Sequence, residues 1–344
     1  MHGTSGVLRS NLWLLFNSLA LLLSSVSVVE DVRAEKRELL NVSFDPTRKL
    51  YERINRAFVQ VWREKTGEEV VVYQSHGGSG KQARSVIEGL EADIVTLALS
   101  YDIDNIAQRG LLAATWRDRF PHGSVPCSSI IVFLVRKGNP KAIRDWQDLA
   151  KKGVEVVMSN PKTSGGARWN YLAAWGFGMK RFGDEPRTRE LVASILANVP
   201  VFDTGARGSM TTFLHREIGD VLVTWESEAR ELLSKDPDGG FEMVVPSISI
   251  KAETPVAVVD ANIKRHKTEI VATAYVEFLF SPTAQRVFAE SHYRPSDADV
   301  RTQFESTFPA VHMLTVDQDF GGWKEAHRVH FSEGGTFDQM YGVR

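Results

Sequence analysis

The sequence predicts an α/β protein of two lobes, with parallel-rich sheets and a ligand cleft between the lobes. Three observations predict it. A length of 344 residues suggests two domains at roughly 100–200 residues each. The first block after the N-terminal segment reads β-α-β-α-β-α, a pattern that makes a parallel sheet covered on both faces. A second alternating block follows an apolar strand near residues 126–137, and a return strand lies near 247–259. The chain therefore crosses between two α/β units and comes back. In open α/β sheets ligands bind beyond the carboxyl ends of the strands, and a cleft between lobes is the default site.

The elements follow in order. Residues 39–43 predict a first strand, with the turn signal Asp45-Pro46 after it. A helix over 47–65 carries Leu50, Ile54, Phe58 and Trp62 on one stripe, and Gly67 ends it. Strands at 70–73 and 93–98 flank a Gly-rich turn, 75–80, and a helix over 81–90. Residues 103–110 are a further helix. After the strand at 130–136 and the breaker Gly138-Asn139-Pro140, a helix over 145–151 and a strand over 154–158 lead into a second Gly-rich loop, 160–166. Helices over 167–177 and 187–197 and a short strand at 200–202 precede a third, 203–208. A helix over 210–217, strands at 220–225, 241–245 and 255–259, and helices over 267–280 and 282–290 complete the reading, with a polar C-terminal tail.

Composition narrows the class. Hydrophobic residues are 43% and charged residues 24%, ordinary globular values that exclude disordered and low-complexity chains. With 41 Lys and Arg against 43 Asp and Glu, the net charge of −2 gives no footprint for nucleic acid or anionic membrane. The single cysteine, Cys127, excludes an internal disulfide and a multi-cysteine metal site, and packing on the hinge strand is expected of it.

Residues 1–34 have the layout of a secretory signal peptide: basic Arg9, an apolar run from Leu12, and Val32 and Ala34 at the −3 and −1 positions of a cut after Ala34. The run is also close to the length of a membrane anchor, but Asn17 and the serines argue for cleavage. The expected division is residues 35–125 plus 250–344 as one lobe and 126–249 as the other, with hinge strands near 126–137 and 247–259. A soluble, exported monomer is expected.

The three Gly/Ser loops share one design: Gly78-Ser79-Gly80-Lys81, Ser164-Gly165-Gly166-Ala167 and Gly205-Ala206-Arg207-Gly208-Ser209 each follow a strand and open a helix. A helix start has unpaired N–H groups and a partial positive charge, and glycine lets an anion approach the backbone. Spacing alone leaves two readings open, plain strand-to-helix connections with caps, or an anion site. Other motifs fail. Ser75 and Gln82 break the P-loop pattern at Gly80-Lys81, and no GxGxxG, GxSxG or HExxH is present. His76 is expected to turn its loop by a backbone hydrogen bond. His327 and His330 are expected in solvent. No cofactor, metal or catalytic residue is assigned.

Residues 65–75, KTGEEVVVYQS, resemble one signature of the prokaryotic sulfate-binding protein family, and 160–168, NPKTSGGAR, resemble the other. The similarity continues through LLNVSFDPTR, QSHGGSGKQARSVIEGLEADIVTLAL, GARGS, IGDVLVTWE and GGTFDQ, and so covers nearly the whole chain after the leader. Glu68 departs from the signature, away from the loops. The resemblance implies a periplasmic receptor of the second topological type that delivers sulfate to the permease of an ABC importer, with thiosulfate as the alternative ligand. It implies no enzymatic activity; the competing class is a sulfate or phosphate ester hydrolase.

Carried over by motif, the ligand-binding residues are Asp45, Ser79, Ser164, Gly165, Gly166, Ala206 and Trp225. Asp45 and Ala206 are expected to donate through the main chain, Gly165 and Gly166 through backbone N–H, Ser164 through its hydroxyl and Trp225 through its indole. Ser79 is expected to donate from its helix start. Sulfate carries no proton at neutral pH, so a wall of donors satisfies it, whereas phosphate keeps an O–H that such a wall leaves unpaired. The Asp45 carboxylate is therefore expected to turn away from the ligand. Arg168 and Arg207 are expected to point outward.

Overall fold

The computed structural model describes residues 37–341; the expected leader, 1–34, lies outside the described residues. Strands β1 (Arg37–Phe44), β2 (Val70–Gly77) and β3 (Ile94–Thr96) run parallel, with β1 between the other two. Helices Arg48–Thr66, Ser79–Ile87 and Ser100–Gln108 alternate with them. Strands β4 (Cys127–Ser129) and β5 (Ile131–Arg136) carry the chain into a second sheet. There β6 (Val156–Ser159), β7 (Phe202–Asp203), β8 (Val221–Trp225) and β9 (Phe241–Val244) give the order β7-β6-β8-β5-β9. β6 is parallel to β7 and β8, while β5 is antiparallel to β8 and β9.

The return path is β10 (Ile248–Ile250), β11 (Ala252–Glu253) and β12 (Val256–Val258). β12 joins the first sheet antiparallel to β3. β11 pairs with β4, Ala252 opposite Ser129, so the outgoing and returning segments lie side by side. β13 (Arg294–Pro295) pairs with the other edge of β4 and completes a three-stranded hinge sheet. The two-lobed α/β architecture is thus as the sequence predicts. Residues 131–135 are buried on both faces, which explains why β5 reads as an unbroken apolar run.

Several boundaries differ for identifiable reasons. β2 continues through Gly77 because it pairs residue for residue with β1 as far as Phe44. Helices begin at Ser79, Gly165 and Ala206, not at 81, 167 and 210, because the Gly/Ser residues form the first helical turn rather than a loop. The helix Glu226–Lys235 is absent from the sequence reading, although Glu226 and Glu228 in its first turn are a start signal. The expected helix over 267–280 runs Glu269–Phe278, because Lys267, at φ 56°, ends a separate helix, Asp260–His266, that the sequence reading lacks.

The largest difference is the C-terminal segment. It is not a polar tail. β14 (His312–Leu314) pairs with β10, and Leu314, Trp323, Phe331 and Phe337 are buried. Tyr171 packs against Phe331 and Phe337, and Lys162 pairs with Asp338 at 2.7 Å. Residues from His312 onward therefore pack on the helix Gly165–Phe182, through Trp169 and Tyr171, and on the helix Ser100–Gln108, through Tyr101. Apolar residues spaced irregularly between polar ones concealed this core.

Candidate functional site

The carboxyl ends of β1, β2, β6 and β8 converge on one cavity of about 40 Å³, the scale of a single small oxyanion. All seven residues expected at the site line it: Asp45, Ser79, Ser164, Gly165, Gly166, Ala206 and Trp225. No lysine, arginine or histidine lines it.

Each position has a local cause. Asp45 opens a short 3-10 turn, Asp45–Thr47, in which Pro46 fixes the next residue without an N–H of its own. The Asp45 carboxylate lies 3.6 Å from Arg48, so the side chain is turned to a cation of the helix that follows, Arg48–Thr66. Ser79 opens the helix Ser79–Ile87. Its hydroxyl donates to Asp102 at 2.5 Å and accepts from the Ala98 N–H at 3.1 Å, which leaves its backbone N–H as the group the helix start offers. Burial raises the Asp102 carboxyl, against the Ser79 hydrogen bond and the Arg168 charge.

The second loop is built by Asn160, whose carbonyl accepts from the N–H groups of Thr163 and Ser164 and whose side chain accepts from that of Lys162. Ser164 then caps the helix Gly165–Phe182, its hydroxyl oxygen accepting from the Ala167 N–H at 3.3 Å. Its O–H proton remains for a ligand. Ala206 opens the helix Ala206–Leu214 behind Gly205, where no side chain caps the first amides. Trp225 ends β8, with its indole nitrogen 3.4 Å from the Gly166 carbonyl.

The lobes meet across this cavity. A β-carbon on Gly78 would lie 3.4 Å from the Thr163 carbonyl oxygen. Trp169 donates its indole N–H to the Ala98 carbonyl at 2.9 Å, and the Phe44 and Trp225 rings are 5.5 Å apart.

Asn170 and Glu228 are wall residues to which the sequence reading gives no role. Asn170 is buried and donates to the Val223 carbonyl at 3.0 Å, while its Oδ1 has no partner. Glu228 accepts from the Thr224 hydroxyl at 3.1 Å, and burial pushes its carboxyl up to about 7. Near neutrality a carboxyl at that value holds its proton about half the time. Asn170 follows Gly166 by one helical turn, and Glu228 stands in the first turn of the helix that Trp225 precedes, so position relative to the motifs was the available signal.

Three expectations about charged residues are corrected. Arg168 turns inward, donating to the Pro161 carbonyl at 3.0 Å and lying over the Phe331 ring at 5.2 Å, because the C-terminal segment folds over it. His327 stacks on Tyr101 with centroids 4.2 Å apart, and burial together with Arg168 and Lys162 lowers it to about 4. His330 is buried against the Tyr171 hydroxyl at 3.2 Å, and burial lowers it also to about 4. His76 orients its loop through a backbone hydrogen bond at Phe44 and through side-chain bonds to Ser43 at 2.7 Å and Gln74 at 2.6 Å. Burial and Arg48 lower its pKa. Arg207 is exposed. Cys127 packs at the hinge, where burial pushes its thiol up to about 12.

The model of the bacterial extracellular solute-binding protein family matches residues 39–294. The sulfate-binding protein of Escherichia coli K12 is 52% identical over 323 residues, 94% of this chain and 97% of that protein. The thiosulfate-binding protein of Pseudomonas aeruginosa is 46% identical over 304 residues, 88% of this chain and 92% of that protein. Among solved structures, the sulfate-binding protein of Mycobacterium tuberculosis H37Rv is similar with a TM-score of 0.77 at 28% identity, covering 85% of this chain and 98% of that one. The ferric binding protein of Campylobacter jejuni shares the fold with a TM-score of 0.61 at 16% identity, covering 88% of this chain and 99% of that one.

Proposed function

The chain belongs to the bacterial extracellular solute-binding proteins, in the branch that holds the sulfate- and thiosulfate-binding proteins, and from that premise we propose that it is a periplasmic receptor for sulfate serving an ABC-type importer. One observation carries the reading: four elements open on a cavity of oxyanion size whose lining holds no cationic side chain. Partial charges at the helix starts and neutral donors then hold the dianion. The proposed donors are the backbone N–H groups of Asp45, Ser79, Gly165, Gly166 and Ala206, the Ser164 hydroxyl and the Trp225 indole.

Sulfate accepts hydrogen bonds and donates none, so such a wall satisfies it. Glu228 fits this scheme in its protonated form, which adds no charge to the cavity. Capture proceeds by closure. The anion settles on one lobe, the paired hinge strands bend, and the second lobe brings its donors. The closed form then presents surfaces of both lobes to the permease. Thiosulfate, also a proton-free tetrahedral dianion, is the second ligand of this site. No covalent step is assigned: the Ser79 hydroxyl donates to Asp102, and the Ser164 hydroxyl oxygen accepts from the Ala167 N–H while its proton is left for the anion.

A crystal structure of the sulfate complex tests the reading. The expected result is a sulfate in this cavity with hydrogen bonds from those seven donors. A sulfate held elsewhere, or one whose oxygens contact the Asp45 carboxylate, overturns it.

A further inference from the structure

The indole donor sits at an unusual junction. Trp225 is the last residue of β8 and directly precedes the helix Glu226–Lys235, at a helix start with no side-chain cap. Any rotation of the peptide between Trp225 and Glu226 swings the indole. What fixes this peptide is Glu226. Its backbone N–H donates to the Ile130 carbonyl at 2.8 Å, on the segment that leaves the hinge. Its carboxylate is fully buried and receives a two-pronged bond from Arg294, Nε to Oε2 at 2.7 Å and Nη2 to Oε1 at 3.2 Å. Arg230 adds a third bond at 3.0 Å. Both guanidinium groups lie over Phe308, at 5.4 Å and 5.8 Å.

Arg294 belongs to β13, paired with β4 of the hinge sheet, with Arg294 opposite Ser128. The next amide, Ser227 N–H, bonds to the Ser129 hydroxyl at 3.2 Å. The hinge sheet therefore grips the helix start at Glu226 and Ser227, immediately behind the indole. A buried ion pair is weak evidence for stability, because desolvation offsets much of its attraction. A planar two-pronged bond, however, fixes an angle as well as a distance.

We propose that Arg294, acting through the Glu226 carboxylate, is a positioning residue that sets the Trp225 indole at the angle the bound anion requires. It contacts neither the cavity nor the indole. Arg294→Lys keeps the charge and loses the planar fork. Glu226→Gln keeps the shape and loses the charge.

The proposal rests on the sulfate reading for its affinity test and carries a second readout that does not. Protein labelled with 5-fluorotryptophan gives one fluorine line per indole, and the Trp225 line is the one lost in Trp225→Phe. Without any anion, Arg294→Lys is expected to shift that line while the Trp62 line stays in place. By calorimetry, Arg294→Lys is expected to weaken sulfate binding about tenfold in the wild-type background. In the Trp225→Phe background the same change is expected to weaken it less than about twofold, since the indole through which it acts is gone. An unmoved Trp225 line, or equal losses in both backgrounds, overturns the proposal. If Arg294→Lys does not fold, Glu226→Gln is put through the same cycle. A wild-type protein that ignores sulfate refutes the sulfate reading, and the fluorine line still decides the positioning role.

Discussion

Gly165 of the second lobe stands so close to Ser79 of the first that a β-carbon on the glycine would lie 2.9 Å from the serine Cβ. Real β-carbons do not tolerate that separation, so the contact exists because residue 165 is glycine. It joins two helix starts that both supply proposed donors. Gly165→Ala should therefore oppose closure while leaving each lobe intact. Overpacking of this kind costs about 1–3 kcal/mol, felt only in the closed form. Sulfate affinity is expected to fall by at least about tenfold, with little change in the melting temperature. Unchanged affinity would show that closure does not bring these residues together.

Asp45 separates the main chain from the side chain as the donor. Its carboxylate is partly exposed and pairs with Arg48, a surface pair of small energetic weight. Asp45→Asn should leave sulfate affinity within about threefold of wild type in calorimetric titration. A change beyond about tenfold in either direction would mean that the carboxylate faces the anion.

Ser164 has two tasks, and its removal should be felt twice. Ser164→Ala removes the acceptor of the Ala167 N–H, a cap worth about 0.5–2 kcal/mol of stability. It also removes a donor to a charged ligand, worth about 1.5–3 kcal/mol, or roughly ten- to hundredfold in affinity. Thermal melting reads the first and titration the second. A loss of stability without a loss of affinity would reduce Ser164 to a cap.

His330 predicts the acid limb of stability. Burial lowers it to about 4 from the ordinary 6.5, so the folded protein disfavours its charged form. Because the folded value lies below the unfolded one, the contribution is fully present above pH 6.5 and is lost as pH falls through 4. The melting temperature should decline over that window. His330→Gln should decline less steeply there, although its melting temperature at pH 7 is lower for the lost packing against Tyr171 and Trp175. Parallel curves for the two proteins would assign the acid limb to other groups.

The two lobes were legible because the strand-loop-helix alternation, the unbroken apolar run of β5 and the Gly/Ser helix starts are local signals. The seven proposed donor residues were carried over by motif resemblance, and one cavity brings them together. What was not legible depends on contacts distant in sequence. Arg168 and His330 read as surface residues until the segment after His312 folds back on the second lobe. Asn170 and Glu228 carry no motif of their own and reach the wall only because their helices start there. Arg294 lies 68 positions from Glu226, and no sequence pattern couples them.

The central claim is that neutral donors select a dianion that has no proton. The most direct test is calorimetric titration at pH 6 of protein unfolded, stripped of ligand and refolded, with sulfate and with phosphate. The account predicts one-to-one sulfate binding at least about tenfold tighter than phosphate: the wall's acceptors, the Asn170 Oδ1 and the Glu228 carboxyl, do not pair every phosphate O–H, and one left unpaired costs about 1–3 kcal/mol. Phosphate binding as tightly as sulfate would contradict it.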